Sequence, residues 1–62
     1  MWVARDKSGT LALYTEIPVR STRVGVWSLR GGEFIYLDED DPNFTNLTWE
    51  DEPVEVWFRG KR

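Results

Sequence analysis

Cysteine and histidine are both absent from this chain of 62 residues. Their absence excludes disulfide bonds, zinc sites built on thiolate or imidazole ligands, and nucleophile–histidine pairs. A domain of this length buries only about 60% of the surface of its unfolded chain. It therefore usually needs disulfides, a structural metal, oligomerisation or an unusually rich core. We therefore expect stability to come from large apolar side chains or from self-association.

Long apolar runs are also missing. Arg5, Asp6 and Lys7 interrupt the apolar N-terminus, and no stretch approaches the roughly 18 residues of a membrane span. We expect neither a signal peptide nor association with a membrane. The absence of cysteine fits a reducing compartment, so the sequence predicts a cytoplasmic location.

The sequence predicts no catalytic residue, no metal site and no cofactor. The strongest metal candidate is the acidic run at residues 38–41, where Asp38, Asp40 and Asn43 offer oxygen ligands for calcium. The run lacks the glycine and the distal glutamate of a calcium-binding loop, so a solvated loop is the favoured interpretation. Carboxylate pairs for glycoside hydrolysis would need a cleft larger than a domain of this size offers. We therefore expect a protein that is not an enzyme.

Alternation of apolar and polar residues predicts two hairpins. Residues 2–5 and 10–14 are typical of strands, joined by a tight turn in which Gly9 has a positive φ. Residues 24–29 and 33–37 predict a second hairpin, closed by Arg30, Gly31 and Gly32, with a positive φ at one of the two glycines.

The remaining segments predict one further strand and several connections. Pro18 cannot donate a ladder hydrogen bond, so its segment is an edge or a connection, and residues 20–23 predict a loop. Between the acidic breaks, a short 3₁₀ turn would carry Phe44 and Leu47 onto the core. Residues 54–58 predict the last strand, and residues 59–62 a frayed tail.

These elements predict one all-β domain over residues 1–62, a small antiparallel sheet of about five strands. It would form either an open meander or a partly open barrel of the SH3-like type. The core is expected at the alternating positions of the most regular strands: Leu11, Leu13, Val26, Phe34 or Ile35, Val54 and Val56.

Charge is distributed unevenly around a net value of −3. Residues 1–32 carry five basic and two acidic side chains, whereas residues 33–62 carry nine acidic and three basic ones. The favoured interpretation is that the two halves attract each other within the fold. An alternative is an acidic surface over residues 33–55 that imitates nucleic acid. A third hypothesis is single-strand nucleic-acid binding by the basic first half: Arg5, Lys7, Arg20, Arg23 and Arg30.

Three segments carry a resemblance to a known group. WVARDKSGTL at residues 2–11, GEFIYL at residues 32–37 and TWEDEPVEV at residues 48–56 resemble short uncharacterised proteins of gut Bacteroidales-type genomes and their prophages or mobile elements. The resemblance covers most of the chain and implies no activity. It implies an origin in a phage or another mobile element.

Nine aromatic residues, four of them tryptophans, are many for a chain of this size. Strands with apolar residues on both faces leave apolar area outside any single core, and such area usually marks a partner. The candidate partner-binding residues are Trp27, Tyr36, Trp49 and Trp57. If the loop at residues 38–52 folds back, Trp49 or Phe44 covers Trp57 and the protein is a monomer; otherwise two copies pair through this face. The predicted function is a small non-enzymatic module that binds a protein, including a second copy of itself.

Overall fold

The computed structural model describes residues 1–57 and contains six short strands with one 3₁₀ turn. The predicted strand position Phe58 and the predicted tail at residues 59–62 lie outside the described residues. Within residues 1–57, no helix has the length and hydropathy needed to cross a membrane. The strands are Trp2–Arg5 (β1), Leu11–Tyr14 (β2), Val19–Ser21 (β3), Val26–Ser28 (β4), Phe34–Leu37 (β5) and Val54–Glu55 (β6), and the 3₁₀ turn spans Pro42–Phe44.

The strands form two antiparallel sheets. The larger has four strands in the order β5-β2-β1-β6, and the smaller pairs β3 with β4. The predicted all-β, antiparallel fold class is confirmed. The two sheets do not close into a barrel, because β4 and β5 belong to different sheets and share no ladder.

The first predicted hairpin is confirmed. Strands β1 and β2 pair along their full length, from Trp2 opposite Tyr14 to Arg5 opposite Leu11. The turn between them is closed by the amide of Gly9, which donates to the carbonyl of Asp6 over 2.9 Å. Gly9 has a φ of 103°, as the sequence predicts for this turn.

The second predicted hairpin is wrong. Strand β4 pairs with β3, so the loop predicted at residues 20–23 is wrong for Arg20 and Ser21, and β5 pairs with β2. The β3–β4 turn is tight because Gly25 adopts a φ of 81° and donates its amide to the carbonyl of Ser21. Apolar residues on both faces of the strands did not specify their partners, and packing between distant segments overrode proximity along the chain.

One face of the four-stranded sheet, here called the upper face, is covered by the β3–β4 sheet. Its buried cluster contains two alanines, whose small side chains leave room for the indole of Trp27 to lie against the sheet. Trp2, Leu29 and Trp49 pack around this cluster. The cluster consists of Ala4, Ala12, Tyr14 and Trp27.

The opposite, lower face is covered by the chain that follows β5. The 3₁₀ turn directs Phe44 against the sheet, and Leu47 completes a buried cluster with Val3 and Leu11. The prediction that Phe44 and Leu47 reach the core is therefore confirmed. Each face of one thin sheet thus has its own small core, and β1 and β2 contribute to both.

The predicted core is only partly correct. Leu11 is fully buried, and Leu13 and Val56 pack beside it. Val54 and both alternatives on β5, Phe34 and Ile35, are exposed. They lie on β5 and β6, the two edges of the larger sheet, which the covering segments cover only in part, as at Leu37. Val26 is half-buried.

Arg5 attaches the lower covering segment to the sheet. Its guanidinium donates to the carbonyl oxygens of Leu47 (2.6 Å), Phe44 (2.9 Å) and Glu39 (3.2 Å), and also to that of Gly9 (2.8 Å). An acidic segment is therefore held through its backbone by a cation, while Glu39 itself stays exposed.

Arg20 has the matching role on the upper side. Its Nη2 donates to the carbonyl oxygens of Trp49 (3.0 Å) and Asp51 (2.9 Å), and its guanidinium carbon lies 4.7 Å from the ring centre of Trp27. The buried Nε has no hydrogen-bond partner in the described part of the chain, so contact with the indole rings is what compensates its burial. The basic half thus holds the acidic half, through carbonyl oxygens.

Replacing Arg5 tests this attachment. Arg5→Ala should lower the free energy of unfolding by about 2–3 kcal/mol, because several carbonyls lose a charged donor at once. Arg23→Ala removes the same charge from an exposed side chain and serves as the matched control. Urea denaturation of both variants measures the difference. Equal midpoints for the two variants would contradict the assigned role.

Candidate functional site

The outer edge of β5 is unpaired in the part of the chain that the structure describes. The amide of Thr15 donates to the carbonyl of Glu33 over 2.9 Å. This bond shows which opposite residues of β2 and β5 form hydrogen-bonded pairs and which do not. In an antiparallel ladder the backbone groups alternate in direction. Those of Ile35 and Leu37 therefore point to β2, and those of Phe34 and Tyr36 point to the free edge.

This edge differs from the opposite edge of the same sheet. Strand β6 has two residues, follows Pro53 and includes Glu55, and these are features by which proteins protect strand edges from pairing. Strand β5 has four residues and contains neither proline nor charge. The β5 edge is therefore the better template for an added strand.

Apolar side chains remain exposed on both faces of β5. Phe34 is 47% exposed, Ile35 60% and Tyr36 69%. The rings on the upper face are nevertheless ordered, because Phe34 stacks on Tyr14 at 5.7 Å between centres and meets Tyr36 edge-on at 5.3 Å. The rings of Phe34 and Tyr36 thus follow the free edge, and the ring of Tyr14 on β2 extends this row inward.

Between this row and the smaller sheet lies a groove of about 440 Å³, which we call the β4–β5 groove. It is present because β4 and β5 do not form the hairpin that would have closed it. Its volume falls within the range of small-ligand sites, and most of its lining side chains are apolar or aromatic. The lining residues are Asp6, Tyr14, residues 26–29, Gly32, Phe34 and Tyr36.

Trp27 forms a fixed wall of the groove. Its side chain is only 7% exposed, and its indole Nε1 donates to the carbonyl of Arg5 over 2.9 Å. Its backbone amide donates to Oδ1 of Asp6, also over 2.9 Å. Trp49 packs edge-on against it at 5.7 Å. The wall is therefore held by hydrogen bonds and packing before any ligand binds.

The groove lining includes the carboxylate of Asp6. Burial, followed by the charge of Asp6 and the neighbouring Tyr36, raises the pKa of Tyr14 to about 12. The negative charge of Asp6 therefore acts on the hydroxyl of Tyr14 inside the groove. Among the residues that the structure describes, the lining contains one carboxylate and neither lysine nor arginine.

The four predicted partner-binding residues lie in different places. Tyr36 is exposed beside the groove, Trp27 is buried as its wall, and Trp49 is half-buried behind Trp27. Trp57 is 78% exposed and follows β6, at the sheet edge farthest from β5 in strand order. The loop at residues 38–52 does fold back, but Trp49 packs on Trp27, so the predicted cover over Trp57 is wrong.

Of the nine groove residues, only Trp27 and Tyr36 were predicted from the sequence as site residues, and Tyr14, Phe34 and Asp6 are the most important of those that were not. Tyr14 and Phe34 share a face with Tyr36 once the register of β2 and β5 is known, but the sequence does not show that register. Asp6 looked like an ordinary turn residue. Asp6 directly follows an apolar strand, and this position was the only indication in the sequence that its carboxylate lies beside the core.

The other sequence-based candidates are accounted for locally. The Asp38 carboxylate accepts from the amide of Asp40, and the Asp41 carboxylate accepts from that of Asn43, so both shape turns. Among residues 1–57, acidic side chains form no group of three or more arranged for a metal ion. Two of the five basic residues proposed for nucleic acid, Arg5 and Arg20, donate internally.

Comparison of the chain with protein-family models, with curated proteins and with solved structures found no match. The resemblance to mobile-element proteins stays a prediction. The geometry of β5 and of the β4–β5 groove is therefore the basis for a functional proposal.

Replacing Tyr14 tests the electrostatics of the groove. An unfolded tyrosine loses its proton near pH 10. The native Tyr14 keeps its proton up to about pH 12, so the native state should lose stability as pH rises through this interval. Tyr14→Phe has no hydroxyl to titrate, so its free energy of unfolding should fall less between pH 10 and pH 12. Chemical denaturation at several values between pH 9 and pH 12 measures it, and identical pH slopes for the two proteins would contradict the assignment.

Proposed function

We propose that this protein is a non-enzymatic interaction module that binds an extended polypeptide segment by adding it as a strand along β5. The observation that carries the proposal is the free, apolar and uncharged edge of β5 beside an aromatic groove. Strand addition takes its affinity from main-chain hydrogen bonds and its specificity from pockets for alternate side chains.

The main-chain part of the proposed site is formed by Phe34 and Tyr36. Each offers one donor and one acceptor at the free edge. The strand is held in place at its start, because Thr15 and Glu33 exchange backbone and side-chain hydrogen bonds of 2.9 Å. Gly32 directly precedes Glu33 and has a φ of 82°. A Cβ atom at this position would lie 2.5 Å from Thr15 Oγ1. Preorganisation of this kind lowers the entropic cost of binding.

A second copy of the chain is the competing occupant of the same edge. Two β5 strands would bury apolar side chains against each other. Each copy carries a net charge of −3, and β5 is followed at once by the acidic run at residues 38–41, so like charges oppose the pairing. We therefore propose a different protein as the partner and a monomeric free state.

Imitation of nucleic acid is a second candidate function. It is supported by the exposure of Glu39, Asp40, Glu50 and Glu52, whose segment is held through carbonyl oxygens and not through these carboxylates. Competition with DNA for a basic enzyme would support this function. Imitation of nucleic acid would not use the free edge of β5. Strand addition is therefore the preferred proposal, because it gives this edge a role.

Hydrogen exchange tests the proposed function. Peptides of eight residues are selected from a random library on the immobilised protein, and amide exchange is followed by NMR with and without the best binder. The amides of Phe34 and Tyr36 should exchange rapidly in the free protein and become protected in the complex, because a new ladder forms there.

Two variants provide the control. Tyr36→Ala removes the ring and keeps the amide, whereas Tyr36→Pro removes the edge donor as well, so the proline variant should bind the selected peptide at least tenfold more weakly than the alanine variant. Sedimentation of the free protein should give a monomer. Protection at Glu55 in place of β5, or failure of every selected peptide to protect Phe34 and Tyr36, would overturn the proposal.

A further inference from the structure

The aromatic lining of the β4–β5 groove has a specific chemical preference. The faces of tyrosine, tryptophan and phenylalanine rings attract cations, most strongly where water is partly excluded. Among the described residues four such rings line this groove, those of Tyr14, Trp27, Phe34 and Tyr36. Tyr14 and Trp27 are almost fully buried, so the ring faces open to a ligand are those of Phe34 and Tyr36. The chain already uses this interaction once, since the guanidinium carbon of Arg20 lies 4.7 Å from the ring centre of Trp27 and 5.2 Å from that of Trp49.

Asp6 adds a fixed negative charge to the same lining. Its Oδ1 accepts the amide of Trp27 over 2.9 Å, which fixes the side chain, and a carboxylate retains further lone pairs for a second donor. Asp6 is half-buried, so water screens its charge less than that of a surface carboxylate. Within residues 1–57, no lysine or arginine is among the lining residues.

Strand addition would place side chains beside the groove that contains this charge. Alternate residues of a strand added to β5 project on the same face as Phe34 and Tyr36, which is the face that borders the groove. The acidic run at residues 38–41 follows β5 directly and favours the approach of a basic segment.

We infer that the β4–β5 groove binds a lysine or arginine side chain of the polypeptide that adds to β5. The inference rests on the proposed function, and it specifies the partner as an extended segment whose apolar and polar residues alternate around a cationic one. The exposed rings of Phe34 and Tyr36 would lie along the aliphatic stem, and the Asp6 carboxylate supplies negative charge within the groove.

Matched peptides test this inference. The probes are acetylated and amidated octapeptides of alternating threonine and valine in which one central residue is lysine, norleucine or glutamate. Tryptophan fluorescence should show that the lysine peptide binds at least fivefold more tightly than the norleucine peptide, and that the glutamate peptide binds most weakly. Norleucine keeps the length and apolar stem of lysine, so the difference reports the charge.

Two variants locate that charge. Asp6→Asn removes the negative charge but keeps an oxygen that accepts the Trp27 amide, so the fold should be preserved. It should weaken the lysine peptide about fivefold and leave the norleucine peptide within twofold. Glu55→Gln makes the same change of charge at the opposite sheet edge, where Glu55 is exposed, and should change neither affinity by more than twofold.

The outcomes separate this inference from the proposed function. Equal binding of the lysine and norleucine peptides would overturn the cation site and leave strand addition intact. If no peptide binds, strand addition is overturned, and tetramethylammonium chloride then tests the groove by itself. A saturable NMR shift of the Trp27 indole and the Tyr14 ring, not seen with sodium chloride, would support the cation site. No such shift would overturn it.

Discussion

The hydrogen bonds of the Arg5 guanidinium hold the acidic segment against the lower face of the sheet. The chain has no cysteine to cross-link its long acidic segment, and that segment contributes Phe44 and Leu47 to the lower core. One side chain donates hydrogen bonds to the backbone of Gly9, Glu39, Phe44 and Leu47. A fork of donors can satisfy several carbonyls that the core would otherwise leave without partners. In this small domain a cation at the end of a strand thus has the role of a staple.

The upper core explains why a groove exists at all. Trp27 lies on Ala4 and Ala12, and its hydrogen bonds to Arg5 and Asp6 hold β4 above the end of β1. In that position β4 pairs with β3 and not with β5, so the outer edge of β5 is unpaired within the described part of the chain. The residues that stabilise the upper core therefore also create the proposed binding site, and Trp27 belongs to both.

The sequence was sufficient to predict elements whose partners are adjacent and whose turns are short. The β1–β2 hairpin, the turn at Gly9 and the 3₁₀ turn that carries Phe44 follow from local patterns. The partner of β5 could not be predicted, since its residues are apolar on both faces and a neighbour on either side satisfies them. The groove could not be predicted for the same reason, because Tyr14 and Phe34 become neighbours only through the β2–β5 register.

Within residues 1–57, β5 pairs with β2 alone and its other edge is free. In the assigned ladder, Ala12 faces Tyr36 and Tyr14 faces Phe34 as non-hydrogen-bonded pairs, whose Cα atoms approach to about 4.5 Å. Nuclear Overhauser effects between the Hα atoms of these two pairs are the most direct measurement. We expect strong effects for both pairs and none between β4 and β5. Strong Hα contacts between Phe34 or Tyr36 and residues 26–28 would show a closed hairpin and would contradict this pairing.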